Sequence, residues 1–473
     1  MIKNNAKFTI QELLAIFHKD NVLFNQDINT EKVFIDSREV QPNSIFVAIK
    51  GENLDAHSKI PEAIQKGASV CIVEKSWYEQ NKENFPNLNF ITVKNTIEAL
   101  GKIANFHRYR YDIEVLAIAG SNGKTTTKEM VAEVLSKKYK VLKTYKNFNN
   151  QIGVPLMLLS LNEDIEMAVL EIGTNYPSEI FLLSEIVAPT AGIITNIGKE
   201  HLEGFIDLDG VEAEETTLFS FLKKTDSKAF VNMDDERLNL YAMVLDNKFT
   251  YGLSTNNMYN LNVNIIFDNA LNTTLICNNQ ETEFQINLKA KGLNFAYNAI
   301  PAIAAGLHYK LPIDLIKNAL ENFIPDLSND YARMAIENKN NITILNDTYN
   351  ANPSSTTLAL ETLKHLSNVE KKIAILGDMR ELGESSLSEH ISMINIAIKN
   401  VDALLLIGDE YSKAKQEIDA PNLFHFESKS NLIDFLYDLL KQDKEKTFAI
   451  LVKGSRGMKM EEITIAIKNN FFV

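Results

Sequence analysis

The chain has 473 residues, 45% of them hydrophobic and 23% charged, which suggests about three domains at roughly 100–200 residues each and excludes a mostly disordered chain. With 48 Lys+Arg against 62 Asp+Glu, the net charge of −14 argues against a nucleic-acid partner. It leaves room for small anions, which a locally positive pocket can hold on an acidic protein.

The first stretch alternates strands and helices. Val33–Ile35, Ser44–Ile49, Val70–Val73 and Phe90–Val93 read as strands, and Pro61–Lys66 as a helix. A polar segment, Asn81–Asn89, interrupts them before the helical spacing of Thr96–Tyr109. The second region opens on the apolar run Val115–Ala119, then Gly120-Ser-Asn-Gly-Lys-Thr125, then helical spacing over Thr126–Ser136. Glu166–Ile172 and Ala191–Asn196 read as buried strands. The stretch from Phe249 to Leu288 reads as an antiparallel insertion, and Asn294–Leu307 as a small-residue helix. In the third region, strands at Ile342–Leu345, Lys372–Leu376, Ala403–Ile407 and Phe448–Val452 alternate with helices at Ser355–Leu366, Ser386–Lys399 and Asn431–Lys441, a doubly wound pattern. The expected fold is therefore α/β: a small N-terminal α/β domain (1–94), a central P-loop domain with a parallel sheet (95–324), and a C-terminal Rossmann-like domain (325–473).

Two cysteines, Cys71 and Cys277, cannot build a disulfide framework or a Cys-based zinc site. Met1–Ile10 lacks the apolar core of a secretory leader, and no apolar run nears the roughly 20 residues of a membrane helix. A cytoplasmic protein with no membrane insertion is expected. Arginine is scarce: Arg38, Arg108, Arg110, Arg237, Arg333, Arg380 and Arg456 stand against 41 Lys. A retained Arg is thus a candidate for work that needs a planar, bidentate guanidinium.

The strongest local signal is Ala119-Gly-Ser-Asn-Gly-Lys-Thr-Thr-Thr127 between a strand and a helix. The glycines of such a turn let backbone N–H groups approach phosphates, and the helix N-terminus adds its positive dipole end. Gly120, Ser121, Asn122, Gly123, Lys124, Thr125 and Thr126 are accordingly nucleotide-binding candidates, with Lys124 toward the β/γ-phosphates and the Thr125 hydroxyl toward Mg²⁺. The pattern is a short G-x-x-G-K-T form, with Ile118 where a longer P-loop has Gly. Glu171 ends a buried strand, where a carboxylate can hold Mg²⁺ directly or through water. His201 lies in Asn196-Ile-Gly-Lys-Glu-His-Leu-Glu-Gly204; since Mg²⁺ prefers oxygen, the side chain alone reads as a hydrogen-bonding histidine.

Asn147-Phe-Asn-Asn-Gln151 offers uncharged donors and acceptors suited to a sugar or peptide, with a solvated loop as the competing reading. Asn346-Asp-Thr-Tyr-Asn-Ala-Asn-Pro353, Leu376-Gly-Asp-Met-Arg-Glu-Leu-Gly383 and Lys453-Gly-Ser-Arg-Gly-Met458 each follow a strand of the third region. Three such loops point to one binding edge, on which Asp347 could meet a ribose.

In this order the segments resemble the Mur ligases, ATP-dependent amide-forming enzymes of peptidoglycan precursor synthesis, along essentially the whole chain. Asp36-Ser-Arg38, Phe46-Val-Ala-Ile-Lys-Gly-Glu52, Asp55 and His57 are similar to the family's nucleotide-sugar-binding domain. Asp347-Thr-Tyr-Asn-Ala-Asn-Pro353 and Gly377-Asp-Met-Arg-Glu-Leu-Gly383 are similar to the branch that joins D-alanyl-D-alanine to UDP-N-acetylmuramoyl-tripeptide. The resemblance implies ATP and Mg²⁺ as cofactors, those two substrates as partners, and a monomer. It places Lys124 and Thr125 at phosphate and metal, and Glu171 and His201 at metal, reversing the reading of His201. Asn298 would meet the adenine, and Arg333 and Asp347 the nucleotide. Ser37, Arg38, Asn149, Asn150, Tyr349, Asn350, Asn352 and Arg380 would serve the substrates.

Two positions depart from the family pattern. Leu293 in Lys291-Gly-Leu-Asn294 replaces a His, and Glu215, fourteen residues after His201, stands where the family commonly has a carbamylated Lys. Glu215 keeps a negative charge on a shorter arm and is expected to substitute for the carbamate, with Glu214 next in line. Three alternatives stay open: a sister ligase adding another residue, a folylpolyglutamate-synthase-like ligase, and a non-catalytic P-loop regulator. Whether the third residue of the stem peptide is lysine or diaminopimelate is also open.

Overall fold

The structure, a computed structural model, describes residues 4–24, 30–51, 54–254, 258–325 and 332–471. Glu52, within the N-terminal segment quoted above, lies outside them. The described chain divides into two compact units. The first holds residues 1–118, 139–174 and 178–192; the second holds 119–138, 175–177 and 193–473.

In the first unit, a five-stranded sheet runs in the order Val22–Leu23, Asn89–Val93, Ala68–Glu74, Ser44–Val47, Val33–Phe34. Its pairings are parallel except that of Val22–Leu23. Phe46, Ile60, Cys71 and Phe90 pack its core with exposures of 2% or less. The polar segment Asn81–Asn89 follows the helix Lys75–Asn81, whose Trp77 and Tyr78 lie against the same core, and holds one short helical turn, Lys82–Asn84. The helix Thr96–Arg108 starts on Asn95, whose side chain accepts from the N–H groups of Ile97 and Glu98. Three further strands, Val141–Lys143, Met167–Glu171 and Glu114–Ala119, lie side by side in parallel. All five residues of Met167–Glu171 are buried, as expected of a parallel strand covered on both faces.

In the second unit, Lys228–Asn232, Lys248–Leu253, Leu261–Phe267, Thr273–Asn278 and Glu283–Leu288 are successive neighbours. The antiparallel expectation holds for the last three strands only. Lys248–Leu253 pairs in parallel with both Lys228–Asn232 and Leu261–Phe267. The alternating pattern of these strands reports one buried face, and it is silent about direction.

The third-region sheet, in the same unit, has the order Ala335–Lys339, Ile342–Asp347, Phe448–Lys453, Lys371–Gly377, Ala403–Ile407, Leu423–Phe426. All neighbours are parallel except the edge strand Ala335–Lys339. The doubly wound expectation is met, and every expected strand lies within one or two residues of its place. The last strand, Phe448–Lys453, sits between Ile342–Asp347 and Lys371–Gly377, so the three loops singled out from sequence leave one edge together. Both cysteines are buried thiols, and burial pushes each up to about 12, which makes them packing residues.

Candidate active site

The turn after Ala119 forms a loop that the helix Lys124–Leu135 then extends, two residues earlier than the apolar spacing suggested. Gly123 caps that helix with φ +81°, and Gly120 has φ +109°, both in the left-handed region that favours glycine. A Cβ on Gly120 would lie 2.3 Å from Thr195 Oγ1, and one on Gly123 2.2 Å from Asn298 Oδ1. The glycines therefore serve both conformation and close approach.

Neighbouring polar groups hold the loop. Ser121 Oγ donates to Gly198 O (3.1 Å) and accepts from Gly198 N–H (2.8 Å). Asn122 N–H donates to Asn196 Oδ1 at 3.0 Å, while its own Oδ1 accepts from Asn352 Nδ2 at 2.9 Å. Thr127 Oγ1 donates to Asn298 Oδ1 at 3.2 Å. Asn298, expected at the adenine, is thus seen propping the loop. Thr125 and Thr126 are half-buried in the helix's first turn.

Lys124 Nζ folds back on its own loop, donating to the carbonyls of Gly120 and Ser121, and lies 3.5 Å from the Glu200 carboxylate. Glu215 is fully buried, and its Oε2 accepts from Gly120 N–H at 2.7 Å. Burial pushes both carboxyls upward, Glu215 to about 8; nearby Lys124 pulls each back, and Glu200 repels Glu215. Oε1 of Glu200 and Oε1 of Glu215 are buried without a hydrogen-bond partner. Two such acids beside a phosphate-type loop make a site short of positive charge, and hard oxygen donors of this kind fit Mg²⁺.

Glu200 went unassigned in the sequence, although it sits in the segment that carries His201. An acid between Lys199 and His201 in a loop after a buried strand was the available signal. His201 itself is paired, Nδ1 to Glu381 at 2.6 Å, and that contact holds the Glu381 carboxyl below its usual range.

In the third region, Asp347 is 5% exposed and uses both oxygens: Oδ2 accepts from Lys453 Nζ at 2.6 Å, and Oδ1 from Met334 N–H at 3.0 Å. Asp347, expected at the nucleotide, has its carboxylate in a buried ion pair that braces the turn. Lys453 also donates to Asn350 O (2.9 Å), and Ser455 Oγ donates to Ala351 O (3.3 Å) while accepting from Arg380 N–H (2.8 Å). Asn352 caps the helix Pro353–His365. The Arg333 guanidinium lies 3.9 Å from the centroid of the Tyr349 ring. Asn350 and Arg380 are exposed.

Models of three families match the chain: Mur ligase family, catalytic domain (residues 30–108); Mur ligase middle domain (118–306); and Mur ligase, glutamate ligase domain (332–456). A UDP-N-acetylmuramoyl-tripeptide–D-alanyl-D-alanine ligase of Haemophilus influenzae is 32% identical over 464 residues, covering 96% of this chain and 97% of the relative.

The chain belongs to the Mur ligase family.

The ligase of the same name from Bacillus subtilis is 32% identical over 438 residues, 91% of this chain and 92% of that one. A crystallised MurF of Acinetobacter baumannii superposes with a TM-score of 0.86 at 27% identity, covering 99% and 100%. A MurF ligase of Thermotoga maritima in complex with ADP gives 0.79 at 24% identity, covering 93% and 97%, a likeness of fold.

In the Mur ligase N-terminal segment, the first unit places Ser37 Oγ 2.9 Å from Glu62 Oε2, and the Arg38 side chain is 81% exposed with its guanidinium on Asp36. His57, by contrast, is a core residue. Its Nε2 accepts from Glu74 N–H at 3.0 Å and its Nδ1 meets Asp55 at 2.6 Å. Asn149 Nδ2 donates to Glu171 Oε1 at 2.9 Å, and Thr144 Oγ1 accepts from Glu171 N–H at 2.8 Å. Asn150 Oδ1 accepts from Ile152 and Gly153 N–H, so it shapes the turn. Leu293 is buried at the start of the helix Leu293–His308. Among the described residues no helix is long and apolar enough to cross a membrane.

Proposed function

We propose that this Mur ligase joins D-alanyl-D-alanine to the terminal carboxylate of a UDP-N-acetylmuramoyl-tripeptide, with ATP as energy source and Mg²⁺ as cofactor. The observation that carries the reading is identity of about one third along almost the whole length of relatives bearing that name. A carboxylate is a poor electrophile, and ATP supplies the phosphoryl group that turns it into an acyl phosphate open to attack by the dipeptide amine.

On this reading the loop Gly120–Thr126 holds the phosphates through the N–H groups of Gly123–Thr126 and the Lys124 ammonium, those of Gly120, Ser121 and Asn122 being spent on Glu215 and Asn196. Lys124 must leave the Gly120 and Ser121 carbonyls it now meets. Bound Mg²⁺ would neutralise charge developing on the phosphates. Thr125, His201 and Glu215 are proposed to hold it, with the buried Glu200 added here, and Glu171 carries over from the family pattern as a further cation ligand. Arg333, stacked on Tyr349, offers a flat cation for the nucleotide. Asp347 is proposed to meet the nucleotide from the turn it braces. Ser37, Arg38, Asn149, Asn150, Tyr349, Asn350, Asn352 and Arg380 are proposed for the substrates, and catalysis is chiefly positioning plus charge neutralisation. The incoming amine, with a reference pKa of about 8, needs little help to lose its proton.

The test is phosphate release with the tripeptide nucleotide. A requirement for D-alanyl-D-alanine, unmet by free amino acids, supports the assignment; turnover with a single amino acid would make the chain a sister ligase. No turnover with any acceptor, alongside retained ATP binding, would favour the regulator.

A further inference from the structure

Within the second unit, three side-chain ties join the third region to the phosphate-type loop and to the loop after Ile194. Asn352 Nδ2 donates to Asn122 Oδ1 (2.9 Å), Lys199 meets Glu389 (2.5 Å), and His201 Nδ1 meets Glu381 (2.6 Å). Only the last involves a residue proposed to hold a cation. A carboxylate can only accept, so His201 Nδ1 carries the proton, and the ring in its neutral form has its lone pair on Nε2. Free imidazole side chains in water favour the opposite tautomer.

The backbone at both ends of this tie is unusual. His201 has φ +46° and Glu381 φ +65°, left-handed conformations that non-glycine residues disfavour. The Glu203 N–H donates to Glu381 O at 3.3 Å, closing a second link between the same two loops. The side chains are 23% and 53% exposed, and ion pairs so open to water stabilise a fold too little to explain two left-handed residues. Stability therefore does not account for the pair.

We propose that Glu381 is a positioning residue: it fixes the His201 imidazole with Nε2 free to take a divalent cation, so that the third region completes the cation site of the middle region. Carboxylates that orient a metal-ligating histidine in this way tune its affinity. The proposal rests on His201 being a cation ligand.

The experiment measures His201 ring ¹⁵N shifts in the nucleotide-free protein and Mn²⁺ binding by electron paramagnetic resonance in the presence of ADP. The variants are Glu381→Ala, Glu381→Gln, Glu389→Ala and His201→Asn. Glu381→Ala is expected to move the ring toward the Nε2–H tautomer and to weaken Mn²⁺ 10–100-fold. Glu381→Gln, whose amide oxygen still accepts, should keep the wild-type tautomer. Glu389→Ala, which removes a different tie, should leave both readouts unchanged. An unchanged tautomer and Mn²⁺ affinity in Glu381→Ala, with His201→Asn losing the ion, would overturn the role of Glu381 and leave the ligand reading intact. Wild-type Mn²⁺ binding in His201→Asn would overturn both.

Discussion

Two clusters of buried acids in the second unit are built to opposite rules. Around the phosphate-type loop, Glu200 and Glu215 each keep one carboxylate oxygen buried and unpartnered, and they share Lys124, whose ammonium also meets backbone carbonyls. In the third region, Asp347 spends both oxygens, on Lys453 and on Met334 N–H. The second cluster is complete as it stands and acts as a strut. The first keeps acceptor oxygens without partners around a single ammonium, which is what a site awaiting a cation should show.

The largest effect is expected where the strut is broken. Lys453→Met leaves Asp347 as an uncompensated buried charge and should destabilise the protein by about 3–5 kcal/mol, read from urea unfolding. A loss below 1 kcal/mol would erase the contrast between the clusters. Lys124→Met should show the reverse profile, lowering kcat about 10²–10³-fold with the fold retained, since its charge serves ligands more than packing. Stability lost with Lys124 as with Lys453 would make both clusters structural.

Glu215→Gln sharpens the comparison through pH. With its folded-state pKa raised to about 8, the native protein holds a proton that the unfolded chain releases near its ordinary carboxyl value. Native stability should therefore fall as pH rises through that window, by at most about 1.4 kcal/mol per pH unit. Glu215→Gln, measured without nucleotide and with a chelator present, should match wild type near pH 4.5 and exceed it at pH 8. A variant less stable at pH 8 would show that the carboxylate is satisfied.

The smallest effects separate the arginines. Arg108 is 4% exposed and donates to the carbonyls of Tyr111 and Ile113, so Arg108→Lys should lose about 1–2 kcal/mol. Arg38→Lys should change stability by less than about 0.5 kcal/mol and show itself in the KM for the nucleotide-sugar substrate. Arg108 is thus a carbonyl anchor, whereas Arg110, Arg237 and Arg456 pair with carboxylates.

The Gly120–Thr125 turn, the strand before it and the helix after it were legible because the pattern is local, and glycines at φ above zero announce a backbone others avoid. The same holds for the third-region strands, whose apolar runs are bounded by turn residues. What could not be read were meetings between distant side chains. Lys453 and Asp347 are 106 positions apart, and neither Glu381 facing His201 nor Glu200 facing Lys124 leaves a trace in spacing.

By itself, then, the sequence determined the alternation of strands and helices, the phosphate-type loop and the family resemblance, because each is written in neighbouring residues. Only the tertiary structure decided that Phe448–Lys453 lies between two earlier strands, that Asp347 is a strut, and that His201 answers to Glu381. Strand order and long-range ion pairs depend on which surfaces pack together, and packing is a property of the whole chain rather than of any window along it.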